Sequence, residues 1–173
     1  YNDDWHGTWE NDGGVLNQQL IHHLDIMRWI FGPIAKVNCI TTKRLNKLQA
    51  EDTAAATVQF TNGSLGLIEA TTAARPVDLH ASLSIVGEKG TAVISGIAMN
   101  EIKIWKFVNQ TKKKELEIIK KNSQNVPTGY GISHINYLNL AFKSILNKKI
   151  FKPVDAYEAY LTSIFVHGLY KST

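Results

Sequence analysis

One cysteine, Cys39, is all that the 173 residues contain, so no disulfide forms within the chain. A cystine-stapled secreted scaffold is excluded, and a reducing, cytoplasmic setting is the expectation. Cys39 sits in a strand-like run and reads as a buried structural thiol. Long hydrophobic runs are absent too. None approaches the ~20 residues that span a bilayer. The longest apolar-rich stretch, around Ile21 to Phe31, is broken by His22, His23, Asp25 and Arg28. No signal-peptide pattern opens the chain, whose first residues are acidic and aromatic. Internal repeats and low-complexity linkers are missing, and so is a G-x-G-x-x-G after a strand. Charge of one sign is weak, at a net +4. Much of the basic excess lies in Lys112, Lys113, Lys114, Lys120 and Lys121, flanking Glu-Leu-Glu-Ile-Ile, and reads as solvated strand ends at a hairpin. Basic residues interleaved with exposed aromatics, as a nucleic-acid site needs, are not seen. Neither nucleic acid nor membrane is expected as a partner.

What is present is an ordinary globular composition, 44% apolar and 20% charged, at a length that suits one domain with a real core. Asp12 is a good N-cap for a helix over about 13–31, which Gly32-Pro33 would stop. Strand-like runs follow at 36–42, 53–60 and 64–73, the last two joined by Asn62-Gly63. Further runs lie at 80–86, 91–95, 102–107 and 115–119. Helices are expected at about 134–147 and from Asp155, where Asp155 and Glu158 resemble a capping box. Short connections imply antiparallel pairing, and strands grouped between helices argue for an α+β fold. In the run 53–60, Ala54, Ala56, Val58 and Phe60 share one face, fit to meet helices. Ala55, Thr57 and Gln59 share the other, small and mildly polar, which could meet a partner subunit or solvent.

The first helix is the chemically unusual one. Gln18, His22, Asp25 and Trp29 recur every three or four residues and form one stripe. A metal site at His22 and Asp25 would need further ligands that no spacing supplies, so no metal is expected. His22 alone could be a satisfied interior histidine. Its surroundings point elsewhere. Gly13-Gly14 permits close approach to the helix start, whose N-terminus favours electron-rich groups. Trp5, Trp9, Asn17 and Gln18 offer stacking surface and amides, a mixture suited to a sugar or sugar nucleotide. Arg75, before Pro76, could meet an acidic substrate group or stay a surface arginine. Tyr130 and His134, at the Gly-rich entrance to a closing helix, could line a nucleotide or be structural. His80 and His167 belong to no motif.

The stretch "GTWENDGGVLNQQLIHHLDIMRWIFGP" resembles the start of the C-terminal domain of the glucose–fructose oxidoreductase / inositol dehydrogenase / rhizopine-catabolism (Gfo/Idh/MocA) family. Its pattern of glycines, polar residue, His, Asp and Trp falls on Gly13-Gly14, Gln18, His22, Asp25 and Trp29. "VGEKGTAVISG" and the closing 134–172 segment are similar to later parts of that domain. The resemblance implies an open, mainly antiparallel sheet with helices on one face, as in the dihydrodipicolinate-reductase-like C-terminal domain. It makes residues 1–173 a substrate-binding and oligomerising domain, forming a homo-oligomer through the open sheet face. The Rossmann domain that binds NAD or NADP, and the family's Glu-Lys-Pro lysine, would lie in a missing N-terminal half, and Tyr1 would be the edge of a fragment. The implied chemistry is oxidation of a sugar or polyol hydroxyl, and the fragment alone would be inactive. His22 becomes the candidate general acid/base or relay, since an imidazole suits that proton transfer. Asp25 would support it. Gln18 stands where many members carry Asp, so a hydrogen-bonding role is expected. The pattern around Trp5, His6, Trp9 and Asn17 looks most like sugar-nucleotide 3-dehydrogenases of surface-polysaccharide synthesis, although His6 replaces their Arg. A non-catalytic sugar-binding or assembly domain is the alternative.

Overall fold

A computed structural model describes residues 4–79, 81–147 and 155–173. The strand run from residue 80 and His80 itself therefore lie partly or wholly outside the described residues, as do the last residues before the closing helix. Two units are present, Tyr1–Asp78 with Val154–Thr173, and Leu79–Pro153.

The first unit begins with two short helices, α1 (Val15–Gln18) and α2 (Ile21–Phe31). Three strands follow, β1 (Ile34–Thr42), β2 (Thr53–Phe60) and β3 (Leu65–Thr71), paired antiparallel in the order β1-β2-β3. The closing helix, Ala156–Lys171, belongs to this unit and is numbered α5 below. The period-2 pattern of β2 is realised as expected. Ala54, Ala56, Val58 and Phe60 are buried, while Ala55, Thr57 and Gln59 are exposed. The buried face meets the helices, with Leu16, Leu24, Met27, Phe165, Val166 and Leu169 completing the core. Each large side chain buried this way stabilises by about 1.5–3 kcal/mol. Cys39 is buried in β1 opposite Ala56, as read. Burial and the neighbouring Glu51 push its thiol pKa up, which keeps it unreactive.

The second unit holds β4 (Leu83–Gly87), β5 (Gly90–Ser95) and β6 (Glu101–Phe107), antiparallel in that order, then α3 (Lys112–Asn122) and α4 (Ser133–Asn147). The antiparallel α+β class is the one expected, with the strands arranged as two three-stranded sheets.

Two elements differ from expectation. Residues 115–119 are helical, inside α3, and not a strand. Thr111 caps this helix by accepting from Lys114 N, Glu115 lies in the first turn and Lys120 and Lys121 in the last, each suited to the helix dipole. The half-buried positions Glu115, Ile118, Ile119 and Ser123 follow a helical period. Glu-Leu-Glu-Ile mimics strand alternation only over four residues. The first helix, expected as one piece from residue 13, is divided after Gln18. Leu20 N reaches back five residues to Val15 O at 2.9 Å, so this turn is wider by one residue. The stop at Gly32, in a left-handed conformation (φ 86°), and the cap at Asp155, which accepts from Tyr157 N and Glu158 N, are as read.

Candidate functional site

The start of α1 is held by distant parts of the chain. Val15 N donates to Glu51 O at 3.0 Å, and Leu16 N to Glu51 Oε1 at 3.0 Å. Gly14 N donates to the Tyr170 hydroxyl at 3.4 Å, and that hydroxyl donates to Glu51 Oε1 at 2.9 Å. The helix is thus capped from Glu51 and Tyr170, and Asp12 is not its N-cap. Asp12 does something else. Its Oδ1 accepts from Gly7 N at 2.6 Å and its Oδ2 from Gln18 Nε2 at 2.8 Å, while its carbonyl accepts from Asn17 Nδ2 at 2.9 Å. One aspartate therefore ties the turn after His6 to the amides of Asn17 and Gln18. Beside that turn Trp5 stacks on His6, ring centroids 3.8 Å apart. Trp5 and Trp9 are both mostly exposed, and Trp9 meets Tyr170 edge-on at 5.6 Å. Trp5, His6, Asn17 and Gln18 are thus brought together.

His22, in the first turn of α2, is exposed, so it is not an interior histidine. His23 is the inward one. Burial lowers its pKa, opposed by a bond to the Gln19 backbone and assisted by the His22 charge, and its Nε2 is buried without a partner. Asp25 turns toward α5, where it accepts from Thr162 Oγ1 at 2.5 Å and lies 3.6 Å from Arg28 Nη2. Arg28 in turn donates to Glu158 Oε2 at 2.5 Å and to Thr162 Oγ1 at 3.2 Å. This cluster pins α2 to α5. Trp29 stands 78% exposed.

The remaining predicted residues lie apart. Arg75 is exposed and donates to Asn46 Oδ1 at 2.8 Å and to Ala74 O at 2.7 Å. Tyr130 and His134 are exposed residues of the second unit. A groove of about 470 Å³ between the end of α2, β1 and α5 includes Arg28, Val37, Tyr157 and Phe165, and none of the nine predicted site residues. Among the described residues no group of three or more His, Cys, Asp or Glu is placed to hold a metal ion.

Sequence reasoning missed Glu51, Asp52 and Tyr170. Glu51 and Asp52 are both buried. Asp52 accepts from the backbone N–H groups of Arg44, Leu45 and Asn46 and from Thr53 Oγ1. Burial works against its ionisation, but these bonds outweigh that and lower its pKa. Burial, then the charge and hydrogen bond of Glu51, push the Tyr170 pKa well up, so its hydroxyl stays protonated as a donor. Two adjacent acids at the foot of an apolar strand were the available signal.

Residues 1–93, more than half of the chain, match the family model described as the GFO/IDH/MocA C-terminal domain. The chain belongs to the GFO/IDH/MocA family, whose C-terminal domain it carries. Among solved structures, the WlbA dehydrogenase from Bordetella pertussis, in complex with NADH and UDP-GlcNAcA, is 30% identical with a TM-score of 0.84. The match covers 98% of this chain and 48% of that one. The WlbA dehydrogenase from Chromobacterium violaceum, bound to the same two molecules, is 28% identical with a TM-score of 0.82, over 98% of this chain and 46% of that one. A levoglucosan dehydrogenase in complex with NADH and levoglucosan shares the fold, at 19% identity and a TM-score of 0.71, over 93% of this chain and 48% of that one. This chain therefore spans about half the length of the structures it matches. No curated protein matches it. Among the described residues no helix is long and apolar enough to cross a membrane.

Proposed function

We propose that this chain is the substrate domain of an NAD(P)-dependent oxidoreductase that oxidises a hydroxyl of a sugar or sugar nucleotide. The observation that carries the reading is the exposed imidazole of His22, one turn beyond the amides of Asn17 and Gln18 that Asp12 holds in place. UDP-GlcNAcA in the two WlbA structures supports a sugar-nucleotide substrate, and hence a place in cytoplasmic polysaccharide precursor synthesis. The residues present do not fit a dinucleotide. Every strand pair among the described residues is antiparallel, and no β-α-β unit or Gly-rich phosphate loop is formed. On this reading NAD or NADP would be held by a separate N-terminal domain of the parent, and the NADH bound in the similar dehydrogenases supports that class of cofactor.

This chain's own contribution is to the sugar and its proton. Asn17 and Gln18 keep their amide oxygens to accept from sugar hydroxyls, since their nitrogens already serve Asp12. Trp5 and Trp9 offer apolar faces to a ring. His22 takes the proton of the hydroxyl undergoing oxidation and returns it in the reverse direction. Asp25, bound to Thr162 and Arg28, fixes α2 and so the place of His22. Arg75, Tyr130 and His134 remain further candidates for substrate contact. The full-length parent is expected to reduce NAD or NADP with UDP-GlcNAcA or a related sugar, and the isolated 173-residue chain to show no turnover. Turnover by the isolated chain refutes the two-domain account. A parent that binds the sugar without reducing the cofactor identifies a binding or assembly domain instead.

The exposed sheet face supports homo-oligomer formation. Leu65, Leu67 and Ile40 are 76%, 86% and 72% exposed on the same side as Ala55 and Thr57. An exposed apolar patch of this kind is suited to contact with a second copy of the chain. Leu67→Glu is expected to shift the parent toward the monomer in sedimentation, and an unchanged mass at equal concentration counts against this face.

A further inference from the structure

α1 is one turn long, and one turn does not hold itself together in water. The N–H groups of its first two residues, Val15 and Leu16, go to Glu51, and that of Gly14 at its N-cap goes to Tyr170. Gly14 fits only because it lacks a Cβ, which would lie 2.1 Å from Glu51 Cδ. Glu51 is buried and its Oε2 has no partner, so the carboxylate has one seat, fixed by the bonds to Oε1. Tyr170 comes from the last turn of α5, next to the fully buried Leu169, and its ring also meets Trp9. We infer that Glu51 and Tyr170 are positioning residues that set α1 and thereby place Asn17 and Gln18 against the substrate.

The inference rests on the reading of this segment as substrate-facing. It separates two functions that share one stretch of chain. Asn17 and Gln18 depend on the Glu51–Tyr170 pair. His22 belongs to α2, which Asp25, Arg28 and Thr162 hold independently. Loosening the pair weakens the grip on the sugar and leaves the proton step in place.

Tyr170→Phe in the full-length parent tests this, because it keeps the ring and removes the hydroxyl. With UDP-GlcNAcA and NAD, KM is expected to rise ~5–20-fold, the scale of one charge-assisted hydrogen bond. The kcat is expected to stay within ~2-fold, because α2 keeps its own ties to Thr162, whereas a purely destabilised enzyme would lose active fraction at constant KM. Glu51→Gln keeps an acceptor for both bonds but places an amide in the partnerless Oε2 seat, so its KM is expected to rise less than that of Tyr170→Phe. Amide hydrogen exchange over residues 14–18 is expected to quicken ~10-fold in Tyr170→Phe and by less in Glu51→Gln. Unchanged exchange, or a fall in kcat at constant KM, overturns the inference. If the parent turns over neither UDP-GlcNAcA nor a related sugar, the proposed function fails, and exchange alone decides the positioning role.

Discussion

Replacing His22 by Ala in the full-length parent is expected to lower turnover by about 10²–10⁴-fold while the protein stays folded, the range that general acid–base catalysis contributes. The two halves of that expectation have separate grounds. His22 is exposed and packs into no core, so truncation leaves no cavity. Surface changes of this sort cost within about 0.5 kcal/mol. The loss is therefore chemical, and it appears in turnover with an unaltered melting curve. The neighbouring His23→Ala behaves in the opposite way. That ring is partly buried, so its removal disturbs packing more than proton transfer. Wild-type turnover in His22→Ala removes the imidazole from the chemistry.

Gly14→Ala is expected to be the most damaging single-methyl change in the first unit. Gly14 has φ −101° and ψ −160°, which any residue adopts, so backbone strain is not the reason. Space is. An added Cβ would lie 2.1 Å from Glu51 Cδ and Oε2 and 2.4 Å from Glu51 O. The last contact is with backbone, so a side-chain rotation cannot relieve it. Overpacking of this kind costs about 1–3 kcal/mol. Displacing Glu51 also breaks its bond to Leu16 N, worth about 1.5–3 kcal/mol at a charged acceptor. A total of about 2.5–6 kcal/mol lowers Tm by roughly 5–24 °C for a chain of this size. Gly32→Ala is the informative contrast. It sits in open space, so only its φ of 86° resists the change. A melting temperature for Gly14→Ala equal to wild type contradicts the capping arrangement described here.

How far the sequence foretold this structure follows from where each cause lies along the chain. β2 was legible to the residue, because alternation of Ala54, Ala56, Val58 and Phe60 with exposed neighbours is a direct image of a half-buried strand. The cap at Asp155 was legible because its partners, Tyr157 and Glu158, are two and three residues away. The division of the first helix was not legible. Its capping comes from Glu51 and Tyr170, 35 and 156 residues distant from the atoms they satisfy. Asp12 looked like a cap for the sound reason that aspartates often are, yet its carboxylate had Gly7 and Gln18 to serve. α3 was misread because two glutamates alternate with two apolar residues over a span too short to separate period 2 from period 3.6. For the site, residue types drew attention to a segment that the structure shows to be polar and beside exposed tryptophans, Trp5 and Trp9. They did not reveal that Asp25 faces α5, or that a buried carboxylate lies beneath the glycines.

The family match fixes the fold, and the substrate role of His22 is the claim on which the functional account turns. The most direct measurement is a crystal structure of the full-length parent with NAD and UDP-GlcNAcA bound. The account predicts a ring nitrogen of His22 about 2.6–3.2 Å from the sugar hydroxyl that is oxidised, or joined to it by one water. A sugar seated elsewhere, with the His22 imidazole still open to bulk solvent, would contradict it.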